Sequence, residues 1–161
     1  MIILVFGLPG AGKTYFSKQF AKETGAVHLN TDVVREKLGF RGEYDEKTKQ
    51  QVYNELFKQA KIELQKGADL IIDGTFHQKR RRKQVERMAE EMNQEVYFIE
   101  IKADEKTAKK RVKKQRKYSE AGKDVYEELK SDFEPVERKC LELESGKPHD
   151  MIQKAKKYMY G

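Results

Sequence analysis

The chain carries one segment whose residue types and spacing point directly to phosphate chemistry. Gly7-Leu8-Pro9-Gly10-Ala11-Gly12-Lys13-Thr14 satisfies G-x-x-x-x-G-K-[ST] without mismatch. Glycines at Gly7, Gly10 and Gly12 let successive backbone N–H groups, including that of Ala11, turn inward around phosphate oxygens with no Cβ in the way. A loop that feeds a helix adds that helix's free N–H groups and dipole. Lys13 would then reach the β- and γ-phosphates of a nucleotide, the Thr14 hydroxyl would sit on Mg²⁺, and Tyr15 would follow on the first helical turn. A chance occurrence is expected in fewer than about one in a hundred chains of this length.

Further acids and arginines follow the other apolar runs. Leu70-Ile71-Ile72 ends in Asp73-Gly74-Thr75. Asp73 is placed to hold Mg²⁺ with Thr14, or else simply starts a turn before Gly74. Thr75 is a candidate acceptor contact. His28-Leu29-Asn30 leads into Thr31-Asp32-Val33-Val34-Arg35. Asp32 and Arg35 are three apart and share one helical face. They are either a surface ion pair or an acceptor site, with Asp32 taking the proton of an attacking hydroxyl and Arg35 binding a polar or anionic part of that substrate. The basic run 109–117 contains Arg111 and Arg116, either of which could neutralise charge on a transferred phosphoryl group. The two are five apart and do not share a helical face. In Arg80-Arg81-Arg82, Arg82 is a weaker candidate for a substrate contact. His28, His77 and His149 show no metal-ligand spacing, and Cys140 reads as a strand residue.

These residues need a sheet to hold them. Ile2–Phe6, 26–29, 69–72, Val96–Ile101 and 140–143 read as strands, the last an edge strand by its alternation. Lys13–Thr24, 48–66, 78–92, 104–117 and 150–160 read as helices. Phe16 and Phe20 face inward on the first, Val52, Leu56, Ala60 and Leu64 on the second, Val85, Met88 and Met92 on the third, and Ile152, Ala155 and Met159 on the last. Asp104 is the expected N-cap of the fourth. Alternating strands and helices imply right-handed βαβ units, a parallel sheet with helices on both faces, and ligands at the carboxyl ends of its strands.

At 161 residues the sequence has the size expected of one domain. Its net charge of +7, from 34 basic and 27 acidic residues, suits an anionic partner such as nucleotide, nucleic acid or phosphorylated metabolite. The longest apolar run, Ile2–Phe6, is too short for a membrane span and has no basic leader before it. One cysteine excludes an internal disulfide and a cysteine zinc site. The expected setting is cytoplasmic, with no membrane partner.

Taken together, the phosphate loop, Asp32-Val33-Val34-Arg35, Asp73-Gly74-Thr75-Phe76, Arg111…Arg116, Ser119-Glu120-Ala121 and Phe133-Glu134-Pro135 resemble a group of small P-loop kinases. The group includes polynucleotide 5′-hydroxyl kinases, gluconate kinases, zeta-toxin-type kinases and AAA-family ATP-binding proteins. The resemblance implies a P-loop NTPase fold of nucleoside-monophosphate-kinase type: a three-layer α/β sandwich with a five-stranded parallel sheet in order 2-3-1-4-5 and a helical lid near 109–134. It implies ATP and Mg²⁺ on Lys13 and Thr14, Asp32 as general base and Arg35 on the acceptor, with a lid arginine that is Arg111 or Arg116. The leading expectation for the acceptor is a polynucleotide 5′-hydroxyl, on DNA or RNA. The alternative within the kinases is a nucleoside, sugar or antibiotic hydroxyl. From other classes, the alternatives are a module that hydrolyses ATP to switch a partner and a nucleic-acid-binding domain without catalysis. The absence of N-K-x-D argues against a GTPase.

Overall fold

The computed structural model describes residues 1–115 and 121–161. In chain order the elements are β1 (Ile2–Phe6), α1 (Lys13–Thr24), β2 (Val27–Asn30), α2 (Thr31–Lys37), α3 (Glu46–Gln65), β3 (Leu70–Gly74), α4 (Lys79–Glu91), β4 (Val96–Lys102), α5 (Glu105–Gln115), α6 (Ala121–Asp132), β5 (Leu141–Glu144) and α7 (Pro148–Tyr160). The five strands form one parallel sheet in the order β2-β3-β1-β4-β5, as the resemblance implied. The chain leaves β1 toward β2 on one side and later crosses from β3 to β4 on the other. The carboxyl end of β1 is therefore the switch point at which such sheets bind ligands.

All five residues of β1 are buried, and alternate ones serve opposite faces. Ile2, Leu4 and Phe6 pack with Val52, Leu56, Ala60 and Leu64 of α3 and with Val85 and Met88 of α4. Ile3 and Val5 pack with Phe16 and Phe20 of α1 and with Ile152, Ala155 and Met159 of α7. The inward residues read from helical spacing are thus the core residues, with Met92 only partly buried. Two helices begin earlier than their apolar pattern does. Asp45 caps α3 by accepting from the Thr48 N–H and hydroxyl at 3.2 and 2.6 Å, which draws Glu46 into the first turn. Pro148 opens α7, at the position where its missing N–H costs nothing. Asp104 caps α5 as expected, accepting from the Thr107 N–H at 2.9 Å.

One arginine ties the two halves of the switch point together. Arg82 of α4 is almost fully buried and donates to four backbone carbonyls: Phe76 (2.8 Å), His77 (3.2 Å), Glu134 (2.8 Å) and Pro135 (2.9 Å). Its guanidinium also lies against the rings of Phe6 and Phe133, which stack with centroids 6.3 Å apart. The Glu134 N–H adds a bond to the His77 carbonyl. The expectation of Arg82 as a substrate contact is corrected here, because its donors are committed to holding the segment after α6 against the β3–α4 loop. Replacing it by the similarly long Arg82→Met strands these carbonyls and is expected to cost about 2–4 kcal/mol. Urea unfolding followed by circular dichroism checks this; a midpoint equal to that of the parent would show that the clamp does not stabilise the fold.

Candidate active site

The phosphate loop spans the gap between β1 and α1. Gly7, Gly10 and Gly12 all have positive φ. At Gly10 the space is as restrictive as the backbone angle, since a Cβ there would overlap the Ala108 carbonyl of α5. At Gly12 (φ 94°) a Cβ would come within 3.3 Å of the Ser145 hydroxyl and 3.4 Å of the Arg111 guanidinium. Gly12 also starts α1 with no side-chain cap and no acid in the first turn, which leaves the first N–H groups open to an anion. Ala11 is buried, and its N–H turns back to the Leu8 carbonyl at 3.3 Å. The Lys13 ammonium donates to the same carbonyl at 2.9 Å. Burial lowers the Lys13 pKa, while the fields of Asp73 and then Asp32 work the other way. Tyr15 stands on the first turn of α1 with its ring exposed.

Asp73 lies within β3 rather than beyond its end, paired in register with Val5 on one side and Asn30 on the other. It is fully buried. Its Oδ2 accepts from the Asn30 side-chain amide at 2.9 Å and from His28 Nε2 at 3.0 Å. Its Oδ1 makes no hydrogen bond. The same Asn30 amide donates to the Thr14 hydroxyl at 3.3 Å, and Asn30 Oδ1 caps α2 through the Val33 N–H. A hard divalent cation takes oxygen ligands. The unused Asp73 oxygen and the Thr14 hydroxyl, joined through one amide, are a donor set of that kind. Among the described residues no cluster of three His, Cys, Asp or Glu could hold a metal by itself. A cation here would therefore complete its shell with water and phosphate oxygens. Thr75 lies beside the loop, its carbonyl accepting from the Gly7 N–H at 3.4 Å.

Asn30 and His28 were not singled out from the sequence as site residues. The signal for Asn30 was its position, a good N-cap type between an apolar strand and Asp32.

Asp32 and Arg35 meet on α2, with Arg35 Nη1 2.6 Å from Asp32 Oδ1. They are not an ordinary surface pair. Asp32 is exposed, but Arg35 is buried beneath the Tyr44 ring at 4.5 Å, and its Nε makes no hydrogen bond. Next to it lies Tyr53 of α3, whose phenol is pushed up to about 12 by burial, against the opposing fields of Arg81 and Arg35. The Tyr53 ring meets Phe76 edge-on, and Phe76 itself sits at φ 43°.

On the other side of the loop, Arg111 of α5 donates through Nη1 to the Gly10 carbonyl and the Ser145 hydroxyl, each at 3.1 Å. Arg116 lies outside the described residues, as do Ser119 and Glu120. Helices α5 and α6 are joined by ion pairs of Lys109 with Glu127 and of Lys130 with Glu105, and Lys109 also pairs with Glu105 within α5. Their two lysines hold the Glu105 carboxyl down at about 2. A cavity of about 340 Å³ lies behind the loop, lined by Leu8, Ala11, Ile101, Ala108, Tyr126 and Phe133.

The contact between Gly10 and Ala108 yields a direct test. Gly10→Ala must displace α5 or the loop and is expected to weaken nucleotide binding by about tenfold or more, since both strain and overlap act at one residue. Calorimetric titration with ATP measures it, with circular dichroism confirming that the helices persist. Unchanged affinity would mean that the loop does not need this close approach.

Comparisons with known proteins agree with this architecture. The structure superimposes on a gluconokinase from Sinorhizobium meliloti 1021 with TM-score 0.71 and 12% identity, covering 95% of this chain and 87% of that one. On the APS kinase of Mycobacterium tuberculosis in complex with AMPPNP and APS, the TM-score is 0.72 at 13% identity, covering 99% and 97%. In sequence, the L-seryl-tRNA(Sec) kinase of Methanococcus maripaludis is 31% identical over 108 residues, covering 64% of this chain and 41% of that protein. The chain thus spans about two fifths of the length of that relative. A family described as "AAA domain" matches residues 2–136, from the first strand through the segment that Arg82 clamps, and on that match the chain belongs to this family of P-loop kinase fold.

Proposed function

We propose that this protein is an ATP-dependent phosphotransferase that moves the γ-phosphoryl group to the hydroxyl of a small or tRNA-linked acceptor. The observation that carries this reading is the juxtaposition of an intact phosphate loop with the Asp32–Arg35 pair, close enough that Lys13 feels the field of Asp32. The loop N–H groups and Lys13 would hold the β- and γ-phosphates. Mg²⁺ held by Thr14 and Asp73 would neutralise phosphate charge. Asp32 would accept the proton of the acceptor hydroxyl as its oxygen bonds to the γ-phosphorus and the bond to ADP breaks. Arg35 would fix the acceptor. Helices α5 and α6 would close over the phosphates as the lid, with Arg111 or Arg116 meeting the transferred group. The Gly10 contact of Arg111 favours Arg111.

The polynucleotide 5′-hydroxyl expected from the sequence has less support than the small-acceptor alternative. The comparison proteins are named for seryl-tRNA, gluconate and APS.

The reading is tested with γ-labelled ATP, Mg²⁺ and a panel of gluconate, nucleosides, seryl-tRNA and 5′-hydroxyl oligonucleotides. Label is expected on a small or tRNA-linked hydroxyl. Hydrolysis that labels no acceptor and is stimulated by a protein partner would instead identify a switch. Asp32→Ala is expected to lower turnover by about 10²–10⁴-fold while ATP binding survives; near-normal turnover removes Asp32 as the base. Asp73→Asn keeps the size and the Oδ contact to His28 or Asn30 but removes the charge. It is expected to raise the Mg²⁺ concentration needed for half-maximal rate by about tenfold, and an unchanged Mg²⁺ titration would reassign the metal to other groups.

A further inference from the structure

Arg81, between the exposed Arg80 and the clamping Arg82, has no role in the reading above, yet it is one of the most deeply buried side chains in the chain, at 2% exposure. Its Nη1 donates to the side-chain oxygens of Gln50 at 3.1 Å and Gln84 at 3.3 Å, and its guanidinium lies 4.4 Å above the Tyr53 ring. Its Nε and Nη2 are buried and make no hydrogen bond. These two atoms form one edge of the planar fork, the edge that binds both oxygens of a carboxylate or phosphate. A buried cation with unused donors is costly to keep. The nearest acid, Glu46, stands 4.0 Å from Nη2, beyond hydrogen-bond length, and is itself largely exposed. An exposed carboxylate thus faces Nη2 of the unused edge without closing a hydrogen bond to it.

Arg35 has the same features. It is buried, stacked on the Tyr44 ring, and has its own unused donor at Nε. Tyr53 links the two guanidiniums: Arg81 lies over its ring, and the charge of Arg35 acts on its phenol. Arg35 also pairs with the carboxylate assigned as base.

We propose that Arg35 and Arg81 together form an oxyanion subsite for the acceptor, so that the hydroxyl phosphorylated by this protein belongs to a molecule carrying a carboxylate or phosphate group. This rests on the kinase reading for its purpose, though not for its chemistry. The anion enters by displacing the Glu46 carboxylate from the mouth of the subsite and takes up the Nε–Nη2 edge of Arg81 and the Nε–H of Arg35. The reacting hydroxyl is thereby tethered beside Asp32. A neutral acceptor of the same size would leave those donors unpaired and be discriminated against.

The test titrates inorganic sulfate, phosphate and formate into protein whose phosphate loop is filled by Mg·AMPPNP, reading the thermal midpoint against sodium chloride of equal ionic strength. A saturable rise is expected with at least one oxyanion, the tetrahedral or the planar one showing which group the subsite prefers. Arg81→Gln is expected to weaken that response by about tenfold or more, whereas Arg87→Gln, an exposed change on the same helix, leaves it in place. Should Arg81→Gln not fold, Glu46→Gln decides: with the competing carboxylate gone, the oxyanion binds about two- to five-fold more tightly. No saturable response, a response indifferent to Arg81→Gln, or Glu46→Gln affinity that is unchanged or weaker overturns the proposal. Failure of AMPPNP to raise the midpoint would count against the kinase reading, while the Arg81 dependence of the sulfate response would still judge the subsite.

Discussion

The arrangement of the site depends on one buried carboxylate. Asp73 sits in the middle of the sheet with no exposure, and a carboxylate there must be answered by donors. Asn30 and His28 on the neighbouring strand supply them at 2.9 and 3.0 Å, and the field of Asp73 acts on Lys13 against the effect of burial. Asn30 in turn caps α2 and reaches Thr14, so the start of the helix bearing Asp32 and Arg35 is fixed relative to the phosphate loop by a single amide. The parallel register of β2 with β3 sets Asn30 opposite Asp73. Strand register, helix cap and candidate metal ligand are therefore parts of one constraint.

The sheet was legible in the sequence because its signals are local and strong. The apolar run of β1, the glycine pattern after it and the four-residue spacing on α3 each specify an element without reference to the rest. Strand order came from the resemblance, since periodicity carries no information about neighbours. The cap residues Asp45 and Asn30 were overlooked for a physical reason: a cap is defined by the N–H it meets, and residue type alone suits turns as well as caps.

The arginines show where sequence reading stops. Arg80, Arg81 and Arg82 are adjacent and identical in type, yet α4 turns each through about 100° relative to the last. Arg80 pairs with Glu46 at the surface, Arg81 stacks on Tyr53, and Arg82 fastens four carbonyls. Arg82 was the one marked for substrate work, and it is the one wholly committed to structure. Its acceptors at Glu134 and Pro135 lie more than fifty positions away, beyond the reach of any local pattern. The Phe133-Glu134-Pro135 piece of the resemblance thereby acquires a reason: Phe133 completes the ring stack on Phe6, and the next two carbonyls receive the guanidinium.

The absence of a side chain at Gly10 has a mechanical consequence. Backbone meets backbone where Gly10 touches the Ala108 carbonyl of α5, with nothing compressible between them, and Arg111 joins the Gly10 carbonyl to Ser145 ahead of α7. A rotamer change cannot absorb displacement across such a joint. If an incoming phosphate spreads the loop by a few tenths of an ångström, that movement is delivered undamped to the helix that the Lys109 and Lys130 ion pairs tie to α6. Loop and helix therefore meet like gears without backlash, a joint that can pass on position but has no side chain in which to lose it.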